Sequence, residues 1–215
     1  MMDILGPRFN KPGEKEAERV NRIQQDLFDR TVHLFDRPFP DGVEDRLKQI
    51  VATASIQPDD LVLDVGSGTG ILIPHIQEYQ PGGIYACDLS PKMVAQLKKN
   101  HPVVETFLSD VRDLTLPDGL LTVIFINASY SNIVDKVGSF QNLARMMKPG
   151  GRMVISHPLG KGFIRTIKAK VPFPLDDFPD ETAATTLLKP FGFHVSQLLD
   201  EPNLYILTAT REGHL

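Results

Sequence analysis

The sequence predicts an α/β fold, in which a largely parallel β-sheet is covered by helices on both faces and ends in an antiparallel hairpin. From residue 61 onward, short apolar stretches alternate with amphipathic segments of helical period, which is the pattern of strands joined by crossover helices. The last two candidate strands, 194–199 and 204–210, are separated by only four residues. Because a parallel crossover needs a longer connection, these two strands must pair antiparallel.

Size and composition fit one ordinary domain with a small appendage. The 215 residues are 41% apolar and 23% charged, within the range of globular proteins. The single cysteine, Cys87, excludes a disulfide framework and any multi-cysteine metal site, and we predict no metal. A net charge of −4 disfavours nucleic acid as a partner. Without a leader pattern or a long apolar run, we expect a soluble, cytoplasmic protein with no membrane span.

The chain begins with a segment of different character, residues 1–58, predicted to form a loose arm followed by cap helices. A helix is predicted over 14–35, ended by the proline-rich stretch 37–40, and a second helix begins at Asp41. Glu44 stands three residues after Asp41, which is the spacing of a capping box. Residues 59–215 are predicted to form the core, and the two parts a single structural unit.

Strands and helices of the core follow from the apolar periods. The predicted strands are 61–65, 84–87, 104–107, 122–126, 152–156, 194–199 and 204–210, and the predicted helices are 71–79, 91–100 and 135–147. Ser90 followed by Pro91 is a hydroxyl N-cap with proline at the first helical position. The third helix ends at the breaker 148–151.

Three glycines, Gly66, Gly68 and Gly70, follow the first strand directly and precede a helix. Such a loop brings backbone N–H groups close to a ligand without interference from a Cβ. The sixth position of a dinucleotide fingerprint is occupied by Ile71 instead of glycine, and the G-K-[ST] of a phosphate loop is absent. The alternative to a ligand-binding loop is a plain strand–helix turn.

Carboxylates follow the next two strands. Asp88 ends the second strand beside the glycine loop, where it can accept both hydroxyls of a ribose, although it could also be a solvated residue before Ser90. Asp110 and Val111 follow the third strand, where a carboxylate and an apolar side chain could hold an adenine.

Five segments together resemble a known family. They are LDVGSGTG (63–70), CDLSPKM (87–93), SDVRDL (109–114), LPDG (116–119) and MMKPGGRMVIS (146–156). The chain resembles the class I S-adenosylmethionine-dependent methyltransferases, of the small-molecule type similar to the ubiquinone and menaquinone C-methyltransferases. The resemblance is strong over about 60–156 and weaker over the closing hairpin.

The resemblance implies a Rossmann-like seven-stranded sheet of order 3-2-1-4-5-7-6 with strand 7 antiparallel. It implies S-adenosylmethionine as cofactor, S-adenosylhomocysteine as product, and a small-molecule acceptor methylated at an O, C or N atom. We expect a monomer or homodimer. The cofactor-binding residues carried over are Asp64, Gly66, Ser67, Gly68, Gly70, Asp88, Leu89, Asp110, Val111 and Asn127. Asn127 is expected beside both the sulfonium and the acceptor.

His157 and Asn127 are the catalytic candidates. His157 follows the fifth strand at the edge expected to face the cofactor, and histidine titrates near neutral pH as a general base should. A substrate contact without proton transfer, or no role at the site, are its alternatives. Residues 157–193 form a long connection, predicted to be a substrate lid, in which Phe173 and Phe178 close an apolar pocket together with Phe28 and Phe35.

Two departures from the family leave other functions open. Leu120-Leu121-Thr122 replaces the usual aromatic-Asp pair, and Asn127-Ala128-Ser129-Tyr130 resembles the N-P-P-Y loop of amino-group methyltransferases without its prolines. The second departure leaves open an N-methyltransferase acting on a macromolecule. Two further alternatives are an inactive cofactor-binding partner or sensor, which would keep the same cofactor motifs, and a nicotinamide-dependent oxidoreductase on a similar sheet, against which the missing sixth-position glycine speaks.

Overall fold

A computed structural model describes residues 13–35 and 40–213. Its strands are β1 (Leu61–Val65), β2 (Gly83–Asp88), β3 (Glu105–Leu108), β4 (Leu121–Asn127), β5 (Met147–His157), β6 (Phe193–Glu201) and β7 (Leu204–Arg211). Its α-helices are α1 (Glu14–Thr31), α2 (Val43–Ala52), α3 (Ile73–Gln77), α4 (Pro91–Asn100), α5 (Lys136–Met146), α6 (Gly160–Ile167) and α7 (Glu181–Leu188).

All seven strands form one sheet in the order β3-β2-β1-β4-β5-β7-β6. The pairs from β3 to β5 are parallel, and β7 runs antiparallel to both of its neighbours. The predicted fold and strand order are therefore confirmed. Because parallel strands end at the same edge, the segments that follow β1, β2, β3 and β4 all meet there.

Alternating side chains of the central strands feed two separate apolar cores. In β4, Ile124 and Ile126 belong to the core on one face, and Val123 and Phe125 to the core on the other. This double burial is why β4 is a nearly continuous apolar run instead of an alternating one. None of the helices in the described ranges is long and apolar enough to cross a membrane.

Several predicted boundaries differ from the observed ones. Helix α2 begins at Val43 behind Gly42, whose φ of 75° is left-handed, and no side chain caps it, so the predicted capping box is wrong. Helix α3 is shorter than predicted, and β5 already begins at Met147. Most of the proline-rich breaker lies outside the described residues. By contrast, Ser90 caps α4 as predicted, because its Oγ accepts from the amide nitrogen of Met93 at 3.1 Å.

Candidate functional site

The loop after β1 is held by glycines that no other residue could replace without strain. Gly66 and Gly70 have φ values of 63° and 93°. A Cβ on Gly66 would lie 2.5 Å from the Cβ of Ser129, and one on Gly70 would lie 2.6 Å from Cδ2 of His101. The amide nitrogen of Gly66 donates to the carbonyl oxygen of Cys87 at 2.8 Å, which ties the loop to β2. The loop is therefore fixed between three neighbours.

Asp88, the last residue of β2, connects the glycine loop to the start of α4. Its Oδ2 accepts from the amide nitrogen of Gly68 at 2.9 Å, and its Oδ1 accepts from that of Ser90 at 2.8 Å. Burial raises the pKa of Asp88, although these backbone donors act in the opposite direction. Since each carboxylate oxygen has a further lone pair, the group can still accept hydrogen bonds from two hydroxyls of a ligand.

Asp64 is a buried carboxyl group in β1, only 2% exposed. Burial, together with the nearby charge of Asp88, raises its pKa to about 8. No donor in the described part of the chain forms a hydrogen bond with it. A buried carboxyl group that lines a cleft in this state favours a cationic ligand, because the cation would stabilise its ionised form.

Asp110 follows β3 and is already engaged on both oxygens. Its Oδ2 accepts from Nδ2 of Asn21 at 2.6 Å, and its Oδ1 accepts from the amide nitrogen of Arg112 at 2.9 Å. The neighbouring Val111 is buried and lines the same cleft. Together they offer an acceptor for an exocyclic amine and an apolar surface for a flat ring.

Helix α1 lies across the end of the cleft that is formed by the loops after β2 and β3. Its side chains at every fourth position, Asn21, Gln25 and Asp29, lie on one face of the helix and contact the loops after β2 and β3. Nε2 of Gln25 donates to the carbonyl oxygen of Leu89 at 3.1 Å, and Oδ1 of Asp29 accepts from the hydroxyl group of Ser90 at 2.5 Å. The helix is therefore fastened to these loops by polar contacts.

The cleft enclosed by these elements holds about 990 Å³ of empty space, open solvent included. Its lining includes nine of the ten predicted cofactor residues, namely Asp64, Gly66, Ser67, Gly68, Asp88, Leu89, Asp110, Val111 and Asn127. Gly70 lines an adjacent pocket instead, together with Glu44, His75 and His101.

Asn127, the last residue of β4, is 6% exposed and lines the cleft. Its Oδ1 accepts from the hydroxyl group of Ser156 at 3.0 Å. The next residue, Ala128, has a left-handed φ of 54°, and its amide nitrogen donates to the carbonyl oxygen of Ser156 at 2.8 Å. A non-glycine residue in this conformation is strained, and such strain is common at functional sites.

His157 does not line this cleft, contrary to the position expected for it. It is 4% exposed, and its Nδ1 accepts from the amide nitrogen of Leu159 at 3.1 Å. Its ring packs against Phe163 and Phe178, with centroids 5.3 and 5.7 Å away. Burial lowers the pKa of His157 to about 4. The reason is the strand period, which turns Ser156 and His157 to opposite faces of the sheet.

The aromatic residues expected to close a pocket divide into two groups. Phe28 and Phe35 line the cleft with ring centroids 6.3 Å apart, and Phe173 packs on Phe28 at 6.4 Å. Phe178 instead packs on Tyr205 at 4.8 Å, away from the cleft lining. Only part of the predicted lid segment 157–193 therefore approaches the cleft.

Sequence reasoning missed the polar residues of α1. Asn21 and Gln24 line the cleft, and Nε2 of Gln24 donates to the carbonyl oxygen of Asn132 at 2.9 Å. The repeat of polar side chains at 21, 25 and 29 is a signal that could have identified this face. In a surface helix, however, the same pattern is also typical of a solvated side.

Comparison with known proteins agrees with this geometry. Residues 63–155 match the family described as "Methyltransferase domain". The tRNA N(3)-methylcytidine methyltransferase trm141 of Schizosaccharomyces pombe is 28% identical over 168 residues, 72% of this chain and 63% of that protein. The demethylmenaquinone methyltransferase of Paenarthrobacter aurescens is 30% identical over 124 residues, 55% of this chain and 48% of that protein. The chain thus spans less than two thirds of either relative.

Among solved structures, magnesium protoporphyrin IX methyltransferase (ChlM) from Synechocystis PCC 6803 with bound S-adenosylhomocysteine superposes with a TM-score of 0.67 at 19% identity. The superposition covers 90% of this chain and all of that chain, and shows a shared fold. With the glycine loop, the carboxylates after neighbouring strands and the confirmed strand order, these matches lead to one assignment. The chain is similar to the class I S-adenosylmethionine-dependent methyltransferases, whose cofactor is S-adenosylmethionine, and residues 63–155 match their methyltransferase domain.

Proposed function

We propose that this protein transfers the methyl group of S-adenosylmethionine to a small-molecule acceptor and releases S-adenosylhomocysteine. One observation carries the proposal: Asp64, Asp88 and Asp110 come from three adjacent strands and line one cleft with the glycine loop. Their chemistry matches the three parts of this cofactor, which are a cationic amino acid, a ribose diol and an adenine with an exocyclic amine. The similarity of residues 63–155 to a methyltransferase domain supports the same conclusion.

The proposed contacts follow from these chemistries. Asp64 and the amides of the glycine loop hold the methionine moiety, whose ammonium group suits the unpartnered carboxyl group of Asp64. Asp88 accepts from the ribose hydroxyls. Asp110 reads the adenine edge, and Leu89 and Val111 pack on its faces. We further propose that the cap helices in 1–58 cover the adenosine end, a role supported by the contacts of α1.

When bound, the cofactor supplies an electrophilic methyl group on a sulfonium. The contribution of the protein is to align the acceptor with that methyl group and to exclude water, which together account for much of the rate of such transfers. Asn127 lies at the edge of β4 where the acceptor meets the cofactor. The apolar side chains Phe28, Phe35 and Ile133 in the cleft lining suit the body of a flat organic acceptor.

Calorimetric titration with S-adenosylmethionine and S-adenosylhomocysteine tests the assignment. We expect micromolar binding that Asp88→Asn weakens at least about tenfold, because an amide oxygen accepts hydrogen bonds from hydroxyls less strongly than a carboxylate. Asp113→Asn is the matched control, since Asp113 is 61% exposed and lies outside the cleft lining. Absence of binding to the unmodified protein, or equal loss in both variants, would contradict the assignment.

A macromolecular acceptor is the second candidate, favoured by the similarity to a tRNA methyltransferase over 72% of the chain. Release of S-adenosylhomocysteine in the presence of a panel of phenols, quinols and carboxylic acids supports the small-molecule reaction. Release only with total tRNA supports the second. Cofactor binding without any turnover would favour an inactive partner or sensor. We also propose a cytoplasmic, reducing location, which the buried free thiol of Cys87 supports.

A further inference from the structure

We propose that Ser156 is a positioning residue that fixes the side-chain amide of Asn127 with its N–H groups turned into the cleft. The acceptor would then present an oxygen lone pair, instead of an amine, beside the methyl group that is transferred. This inference rests on the proposed methyl transfer and names the polarity that the acceptor must have. Nothing in the sequence motifs assigns a role to Ser156.

The orientation of the amide follows from the burial of Ser156. Its side chain is 0% exposed, and its hydroxyl group donates to Oδ1 of Asn127 at 3.0 Å. If the amide were turned over, Nδ2 would donate to this hydroxyl group instead. The hydroxyl hydrogen would then have no acceptor among the described residues. Leaving a buried donor unpaired is costly, so the serine selects the orientation in which Oδ1 faces β5.

The backbone around the amide is fixed as well. The amide nitrogen of Ala128 donates to the carbonyl oxygen of Ser156 at 2.8 Å, and the hydroxyl group of Ser129 donates to the carbonyl oxygen of Val65 at 2.7 Å. These contacts hold both sides of Asn127 between β1 and β5. The side chain therefore has little freedom to adopt a different direction.

The remaining donor, Nδ2 of Asn127, is available to a ligand in the cleft. Asn127 is 94% buried, lines the cleft, and its Nδ2 has no hydrogen-bond partner in the described ranges. Asp64 pairs in register with Phe125, two residues before Asn127. The backbone of Asn127 therefore lies about 7 Å beyond that of Asp64 towards the carboxyl ends of the strands. That is the side on which the acceptor must approach the cofactor.

A pair of N–H donors at this point discriminates between acceptors. It stabilises an oxygen that carries a lone pair or a negative charge, such as that of a phenolate or an enolate. An amine would direct its own N–H groups against those of the amide. In the transfer itself, a lone pair of the oxygen forms the bond to the methyl carbon. The carbon–sulfur bond breaks and its electron pair stays on sulfur. An ionised acceptor has already lost its proton to solvent and needs no base.

The test measures two probes of matched shape, 4-nitrophenolate and 4-nitroaniline, against the protein saturated with S-adenosylhomocysteine. We expect the phenolate to bind at least about tenfold more tightly than the aniline, the size of a hydrogen bond to a charged group. Asn127→Asp should reverse the preference, because it replaces donors by acceptors. Ser156→Ala should bring the ratio of the two affinities, phenolate over aniline, towards one, because the amide becomes free to turn over.

Ser139→Ala is the matched control, since Ser139 is a buried serine on α5 whose hydroxyl group has no partner in the described part of the structure. This variant should keep the ratio of the unmodified protein. A ratio of one or less in that protein, binding of neither probe, or a ratio insensitive to both Asn127→Asp and Ser156→Ala would overturn the inference. Binding of S-adenosylhomocysteine is measured first in each sample. Its absence refutes the proposed function, whereas its presence with a flat ratio refutes only the polarity of the acceptor site.

Discussion

Binding of the cofactor should expel a proton from Asp64. In the cofactor-free protein, burial and the charge of Asp88 raise the pKa of Asp64 to about 8, so the carboxyl group is protonated at neutral pH. The ammonium group of S-adenosylmethionine, like other α-amino groups, stays protonated below about pH 7.7. When the two meet, the attraction favours the ionised carboxylate, and the proton leaves for solvent.

The magnitude follows from the raised pKa. If only the ionised form of Asp64 binds the cofactor tightly, the apparent dissociation constant is multiplied by one plus the ratio of protonated to ionised carboxyl groups. With a pKa of about 8, this factor falls about ninefold between pH 6 and pH 7. At pH 7 roughly 0.9 proton is released for each cofactor bound. Affinity therefore rises with pH across this window.

Isothermal titration calorimetry in two buffers of different ionisation enthalpy measures both quantities. We expect the observed enthalpy at pH 7 to differ between the buffers by about 0.9 of the difference in ionisation enthalpy. Asp64→Asn is nearly isosteric and should bind weakly at every pH, without proton release. An affinity that does not change between pH 6 and pH 7, or equal enthalpies in both buffers, would refute the proposed contact between Asp64 and the ammonium group.

Three further predictions concern the surroundings of the cleft. Asn21→Ala removes the bond to Asp110 and should speed the dissociation of S-adenosylhomocysteine about tenfold in stopped-flow measurements, whereas Arg22→Ala, an exposed neighbour, should not. Gly66→Ala should lower the free energy of unfolding by at least about 1–3 kcal/mol in urea titrations and abolish cofactor binding, because the new Cβ meets Ser129 at 2.5 Å in a left-handed backbone; unchanged stability would contradict this. His157→Gln should leave the pH profile of turnover unchanged, since His157 lies outside the cleft lining, and loss of a titration step would identify it as the base after all.

Local patterns in the sequence were sufficient for the fold and for the carboxylates of the site. The alternation of apolar strands with helices predicted the sheet. The short connection predicted between the last two strands, only four residues long, predicted its antiparallel end. The glycine spacing and the positions of Asp64, Asp88 and Asp110 depend on where strands end, which apolar periodicity reveals. These residues reach one cleft because parallel strands end at one edge, so their proximity follows from topology alone.

The tertiary structure decided which neighbouring side chains share the cleft. Ser156 and His157 are adjacent in the sequence, yet the strand turns Ser156 towards Asn127 and His157 into the aromatic cluster of the opposite face. The contact between Asn21 and Asp110 joins residues 89 positions apart, and no local period indicates it. Short-range patterns determine the helices and strands and the residues at which they end. Which side chains face the cleft, and which hydrogen bonds its carboxylates already accept, depend instead on packing between elements that are distant in the chain.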